Sequence, residues 1–168
     1  MLDDELPADV FTELGRVTWA AIRLEDYTES LCQSIDPANP RTDKRLIGQK
    51  IKDAQRVLTG WPVSPARDVA RAWLERSRVA IERRNATLHA TPVVWLAPGH
   101  PQDGRQLLGE MPRKNRPYRE WPLTVESLGE LLSVLTEAGS GWRDVVIAAG
   151  SEWRRLCGTG GEVNPLPS

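Results

Sequence analysis

The chain has few of the residues on which covalent cross-links and metal sites depend. Its 168 residues include two cysteines and two histidines. Cys32 and Cys157 are far apart in sequence and lie in predicted helices, so neither a disulfide framework nor a zinc site is indicated, and we expect both to be small core residues. His100 has no cysteine or acidic partner at metal-ligand spacing. We therefore predict no metal and no other cofactor.

An excess of charge of one sign and a long apolar run are also lacking. The net charge is −1, which argues against tight, sequence-independent binding to long nucleic acid, because that mode needs many basic groups to neutralise phosphates. It does not exclude an enzyme that contacts RNA briefly. No apolar run approaches membrane-spanning length or follows the plan of a signal peptide, so we expect a soluble, cytoplasmic protein without membrane association.

Apolar residues recur at helical spacing through most of the chain. The length suits one hydrophobic core, which predicts a single domain over 1–168. The helically spaced apolar residues of the first predicted helix begin with Phe11. The patterns predict helices over 9–35, 43–60, 65–89 and 124–157, followed by a flexible tail over 158–168. Gly139, Ser140 and Gly141 keep the apolar phase of the last helix, so we expect a bend there and no break.

The helical pattern is interrupted between the third and fourth helices. Residues 92–122 contain two short β-prone runs, a Pro/Gly-rich stretch and an irregular basic connector, so we expect a small β-hairpin or an irregular insertion. Ser64-Pro65 has the pattern of a helix start, and Thr124 with Ser127 has that of a capping box. The expected fold is all-α: a four-helix, up-and-down bundle with the insertion between helices three and four.

Chemistry is concentrated where the third predicted helix ends, in the run from Glu82 to His89. Arg84, Asn85 and His89 place a guanidinium, an amide and an imidazole within about two helical turns, a set that can cleave an RNA phosphodiester without a metal. At about 100° per residue Arg84 falls in the apolar band of the helix, with Asn85, His89 and Glu82 beside its edge.

A guanidinium in an apolar band must be paired or must face a wet groove. The first helix offers Glu25 near its own apolar stripe, with Asp26 next to it, so one polar layer could cross the bundle between helices one and three. The helix pattern alone favours a purely structural interpretation: Arg84 and Glu25 hold the two helices in register, Asn85 caps the helix, and His89 is a half-buried terminal residue.

Helical geometry favours a site shared between two copies of the chain. On a continuous helix Arg84 and His89 are about 140° apart, so one copy cannot easily direct both side chains at one phosphate. Two copies related by a two-fold axis could interleave them. Alternatively, the helix unwinds before His89, which the nearby Pro92 would favour.

Two further groups of residues could serve RNA. The most basic local stretch either steers RNA by its charge or forms a solvated loop; it comprises Arg105, Arg113, Lys114, Arg116 and Arg119. We interpret most of the seven tryptophans as packing residues. Trp95 and Trp121, on the connectors, are the two that could stack on bases or contribute to a dimer interface.

The run Arg84-Asn85-Ala86-Thr87-Leu88-His89 resembles the arginine, polar residue, spacer, histidine motif of the HEPN superfamily, whose members are helical bundles and often metal-independent RNases. The resemblance implies a homodimer with a composite cleft and a 2′,3′-cyclic phosphate product. Arg84 would bind the scissile phosphate, His89 would transfer protons, and Asn85 would orient the pair. It also implies a toxin–antitoxin or phage-defence setting, with an antitoxin or other regulatory protein as partner. The competing class is a non-catalytic helical module that binds a protein partner through helices one and four.

Overall fold

The computed structural model describes residues 7–37, 46–88, 91–93, 107–110 and 119–158, and five helices account for most of them. The helices are α1 (Ala8–Ile35), α2 (Ile47–Thr59), α3 (Pro65–Leu88), α4 (Val125–Gly139) and α5 (Trp142–Gly158). A predominantly helical fold is therefore confirmed. Across the described ranges, we find no helix that combines the length and the apolar character needed to cross a lipid bilayer.

The core forms around α1 and α3, because each of these two helices contacts all four of the others. Their buried side chains recur every three or four residues, as expected of a helix that buries one face. On α1 this series is Val10, Val17, Ala21, Leu24, Thr28, Leu31 and Ile35. On α3 it is Ala70, Trp73, Leu74, Ser77, Ala80 and Ile81. The two polar members, Thr28 and Ser77, are fully buried.

Both predicted helix starts are present. At α3 the backbone N–H of Arg67 donates to Ser64 Oγ at 3.3 Å. At α4 the Ser127 N–H donates to Thr124 Oγ1 at 3.2 Å, while the Thr124 N–H donates to Ser127 Oγ at 3.1 Å, which completes the capping box. These side chains satisfy backbone donors that the first helical turn leaves without partners.

The directions of the helices follow from pairs of side-chain contacts. Trp73 donates its indole N–H to the Ser140 carbonyl at 3.2 Å, and Arg83 lies 3.6 Å from Glu130, so α3 and α4 run antiparallel. Between α1 and α5, later residues of one helix contact later residues of the other. The ring centroids of Tyr27 and Trp142 lie 4.3 Å apart in a stacked arrangement, and further along both helices the Ser34 side chain approaches Gly150. Helices α1 and α5 therefore run in the same direction, as expected if the direction alternates along five successive helices.

The structure corrects the prediction of one bent helix over 124–157. Helix α4 ends at Gly139 and α5 begins at Trp142. Between them Ser140 has extended backbone angles and Gly141 has a φ of +66°, a left-handed conformation that glycine adopts readily and a helix does not contain. The apolar phase survives because the buried series Leu128, Leu131, Leu135, Ala138, Val145 and Ala149 keeps its spacing across the two intervening residues.

Three short antiparallel strands lie between α3 and α4, in the order β1-β2-β3. They are β1 (Thr91–Val93), β2 (Leu107–Glu110) and β3 (Arg119–Pro122). Thr91 is opposite Gly109, and Leu108 is opposite Trp121. Strand β3 corrects the prediction of an irregular connector over 112–122. Its charged Arg119 and Glu120 and its terminal Pro122 give no alternating apolar signal, which suits a short strand at the edge of a sheet.

The cysteines occupy two different environments. Cys32 packs against the core, and burial raises the pKa of its thiol to about 12, so it is unreactive at neutral pH. Cys157 is exposed near the end of α5, so the expectation that it is a core residue is wrong. It follows an apolar neighbour but lies outside the buried face of its helix. Most of the predicted tail over 158–168 lies outside the described residues.

Candidate functional site

Arg84 extends the buried face of α3 toward the end of that helix. It follows Ser77 by seven positions and Ile81 by three, so the helix turns all three toward the same side. Ser77 and Ile81 are buried, and the Arg84 side chain is 16% exposed. The sequence-based expectation that Arg84 points toward the packed side of its helix agrees with this exposure.

Glu25 on α1 forms an ion pair with Arg84. Its neighbours Leu24 and Thr28 are buried, which places Glu25 at the margin of the buried face of α1. The Glu25 side chain is 36% exposed and so retains access to water. The predicted partner of Arg84 is thus the residue that it contacts, and the contact joins the two helices around which the core is built.

The electrostatic environment of Arg84 is set mainly by burial. Removal from water lowers the pKa of the guanidinium below its ordinary value. It stays protonated at neutral pH, because an arginine gives up its proton only far above that range. The buried Nε has no hydrogen-bond partner among the described residues. Arg84 therefore combines a full positive charge with one donor that its present neighbours do not use.

Such a guanidinium can do two things. Its fork of N–H groups suits the two oxygens of a carboxylate or of a phosphate, so a phosphate could take the place of Glu25. Alternatively, the pair with Glu25 is permanent and keeps α1 and α3 in register. The partial exposure of Glu25 makes exchange with an incoming anion sterically accessible.

The other residues of the predicted polar layer do not join this pair. Glu82 is paired with Arg78 on the outer surface of α3, at 2.6 Å. Asp26 is exposed, and Asn85 is half-buried. Among the described residues, the polar layer between α1 and α3 therefore consists of the Arg84–Glu25 pair and of the buried hydroxyls of Thr28 and Ser77 on the same two helices.

Several predicted site residues lie outside the described part of the chain. His89 is among them, so the geometry that relates it to Arg84 stays a prediction. The same applies to Arg105, Arg113, Lys114, Arg116 and Trp95. Arg119 and Trp121 are residues of β3, where the structure gives their backbone positions.

An exposed apolar face on α1 was missed by sequence reasoning. Phe11, Trp19 and Ile22 are 68%, 62% and 47% exposed, and they lie within about 80° of each other around the helix axis. Phe11, which the apolar pattern placed on the buried side, is therefore a surface residue. The spacing of Trp19 and Ile22, eight and eleven positions after Phe11, was the available signal. We call these three residues the α1 stripe.

The α1 stripe lies next to the candidate site. Ile22 is one helical turn before Glu25, so the exposed apolar surface and the ion pair adjoin on α1. No group of three or more histidine, cysteine or acidic side chains suited to a metal ion is present in the residues described.

Comparisons with protein-family models, with curated proteins and with solved structures found no match to this chain.

Proposed function

We propose that the chain is a HEPN-like, metal-independent endoribonuclease that acts as a homodimer. In this proposal Arg84 binds the scissile phosphate, His89 transfers protons and Asn85 orients the two. The proposal rests on the motif from Arg84 to His89 and on the environment of the arginine.

The observation that carries the proposal is the state of Arg84. A charged, largely desolvated guanidinium with an unused donor binds an anion more strongly than an exposed one, because water competes less for it. Its partner Glu25 is the more exposed member of the pair and can turn toward solvent. An RNA phosphate that replaced the carboxylate would keep the positive charge compensated throughout.

The reaction in this proposal is an internal transfer. The ribose 2′-oxygen attacks the adjacent phosphorus, the bond from phosphorus to the 5′-oxygen breaks, and the products are a 2′,3′-cyclic phosphate and a free 5′-hydroxyl. The imidazole of one His89 accepts the proton of the 2′-hydroxyl, and a protonated His89 donates a proton to the leaving 5′-oxygen. Arg84 stabilises the negative charge that develops on the phosphorane. No water or metal is consumed.

The α1 stripe supports the dimer in this proposal. Three large apolar side chains in a row are unusual on the outer face of a monomer's helix. A second copy seated on the stripe would come close to Glu25 and Arg84, because Ile22 lies one turn away. Such a copy could supply its own His89 to the Arg84 of the first.

A second candidate function is favoured by the ion pair itself. If Arg84 and Glu25 only connect α1 with α3, the chain is a non-catalytic helical module, and the α1 stripe is a surface for a protein partner. This candidate predicts an inert wild-type protein and a loss of stability in Arg84→Ala.

RNA cleavage in EDTA separates the two candidates. We expect the wild type to cut single-stranded RNA to 2′,3′-cyclic phosphate ends, and Arg84→Ala and His89→Ala to lose at least about 100-fold in rate. Arg83→Ala is the matched control for charge, because Arg83 is the exposed neighbour of Arg84. His100→Ala is the control for loss of an imidazole. Circular dichroism and thermal unfolding verify that each variant is folded.

Inert wild-type protein at high concentration contradicts the nuclease. Equal activity of wild type and Arg84→Ala contradicts it as well. The dimer is tested separately by the mass in solution: Trp19→Glu should dissociate it, whereas Ile147→Glu, an exposed apolar residue of α5, should not. A monomeric wild type contradicts the composite cleft.

A further inference from the structure

A groove between α2 and α3 carries a local excess of positive charge. Its volume is about 650 Å³, within the range of natural ligand sites. The residues that line it include Lys52, Arg56 and Arg71, and one carboxylate, Glu75. The groove is therefore positive in a chain whose net charge is −1.

The cations of the groove have few ion-pair partners among the described residues. Within the described ranges neither Lys52 nor Arg71 forms an ion pair, and Arg56 makes only a long contact of 3.8 Å with Asp53. The single carboxylate is already compensated. Arg78 holds Glu75 through two hydrogen bonds at 2.6 and 2.9 Å, which lowers the pKa of that carboxyl. A ligand in the groove would thus meet three cations and little opposing charge.

The rest of the lining indicates how a ligand would be recognised. The Gln55 amide donates to Glu75 at 3.5 Å and the Thr59 hydroxyl donates to the Gln55 carbonyl at 2.9 Å, while Ala72 leaves space at the α3 side. The three cations therefore remain as the main groups for a ligand. Among the described residues that line the groove none is aromatic, so they offer no aromatic ring on which a base could stack. Recognition through phosphate oxygens is what this set of side chains provides.

The groove is distinct from the candidate site. Arg71 precedes Arg84 by 13 positions on α3, which corresponds to about 20 Å along the helix and a rotation of about 220°. The two arginines therefore face different sides of the molecule. The lining of the groove on α2 runs from Lys52 to Thr59, which is about 10 Å along the helix axis. This suits an extended chain of phosphates better than a single compact anion.

We propose that the α2–α3 groove binds the phosphate backbone of single-stranded RNA. The choice of RNA rests on the proposed function; the recognition of consecutive phosphates rests on the groove. The contacts are Lys52, Arg56 and Arg71, and they position a strand without reading its sequence.

The experiment measures binding without cleavage. A fluorescein-labelled 2′-O-methyl RNA keeps the phosphate backbone but has no nucleophilic 2′-hydroxyl, so anisotropy reports affinity alone. Lys52→Ala and Arg71→Ala should each weaken binding about fivefold at 0.1 M salt, and each should reduce the slope of log affinity against log salt by about 0.7. Arg154→Ala, which removes an exposed charge from α5, is the control and should change neither quantity. Thermal unfolding verifies that each variant is folded.

Each outcome decides the proposal. Unchanged affinity and salt slope in Lys52→Ala and Arg71→Ala overturn it, as does a wild type that binds no RNA. The proposal is also overturned, in favour of a small-anion site, if binding of inorganic triphosphate depends on Lys52 and Arg71 while binding of RNA does not. Groove-dependent binding by a protein that cuts no RNA removes the nuclease proposal and leaves this one intact. If the protein cuts RNA but binds it independently of the groove, the groove proposal is overturned and the nuclease proposal stands.

Discussion

The Arg84–Glu25 ion pair joins the two helices that contact every other helix of the fold. Its members differ in exposure, since the Arg84 side chain is 16% exposed and that of Glu25 is 36%. The consequence of removing one partner therefore depends on which partner remains. A carboxylate left alone can turn toward water, whereas a guanidinium left alone stays mostly buried.

The first prediction concerns this asymmetry. Glu25→Ala should destabilise the protein by about 2 kcal/mol, a value reduced from that of a fully buried pair because solvent screens the site. A double-mutant cycle with Arg84→Ala should give a coupling energy of about 1 kcal/mol. Urea unfolding monitored by tryptophan fluorescence measures both quantities. Additive effects of the two substitutions would show that the pair contributes nothing to stability.

The second prediction concerns the buried hydroxyl of Ser77, which has no hydrogen-bond partner among the described residues. Ser77→Ala should stabilise the protein by about 1 kcal/mol, because it removes an unsatisfied polar atom and introduces a better helix former. Thr28→Val is the control, since the equally buried Thr28 hydroxyl donates to the Leu24 carbonyl at 2.7 Å. We expect Thr28→Val to lower the urea midpoint and Ser77→Ala to raise it. A destabilising Ser77→Ala would mean that the hydroxyl is satisfied.

The third prediction tests the break between α4 and α5. Gly141 has a φ of +66°, so Gly141→Ala should cost about 1 kcal/mol of stability through backbone strain. Gly129 lies within α4, and apart from its chain neighbours and the helix's own backbone no atom lies within 4 Å of the position that a Cβ would take. Gly129→Ala should therefore stabilise the helix by about 0.5 to 1 kcal/mol. The two melting temperatures should shift in opposite directions, and an equal gain in both would indicate that α4 and α5 are one helix.

The fourth prediction is a pH dependence at α5. A hydrogen bond from Arg155, together with one from Ser64, lowers the pKa of Glu152 from 4.5 to about 2. Because the folded protein has the lower pKa, the carboxylate stabilises the fold above pH 4.5, and this contribution is lost as the pH falls toward 2. Carbon NMR titration should show the pKa of Glu152 rising in Arg155→Ala. The neighbouring Arg154→Ala is the control and should leave it unchanged.

Much of the helical framework could be predicted because local rules determine it. The first helix was predicted over 9–35 and α1 spans Ala8–Ile35, since its apolar spacing of three and four residues persists throughout. The Thr124–Ser127 capping box was also predictable, because its two residues act on each other within one helical turn.

The failures arose where pattern and backbone carry different information. The apolar phase across Gly139–Gly141 continues through a break of two residues, so periodicity alone could not reveal the positive φ of Gly141. Phe11 satisfied the helical spacing yet faces outward, because the apolar pattern of α1 is wider than the face that its neighbours cover.

For the candidate site, the sequence predicted the Arg84–Glu25 pair but not which acidic residues would stay away from it. Glu82 shares the end of α3 with Arg84, yet its stronger partner is Arg78, one turn earlier on the outer surface. Whether a charged side chain pairs within its own helix or across to another depends on neighbouring helices, which no local pattern contains. The α2–α3 groove was missed for the same reason, since Lys52 and Arg71 belong to separate helices.

The position of α1 has a consequence for how the molecule opens. Because α1 contacts all four other helices, its backbone amides cannot reach solvent by the detachment of any one neighbour. The amides beside Leu24 and Leu31 should therefore exchange with deuterium only when the whole protein unfolds. A partner that binds the outer side of α1 only in the folded protein would make global unfolding less favourable, and it would therefore slow amide exchange throughout the core.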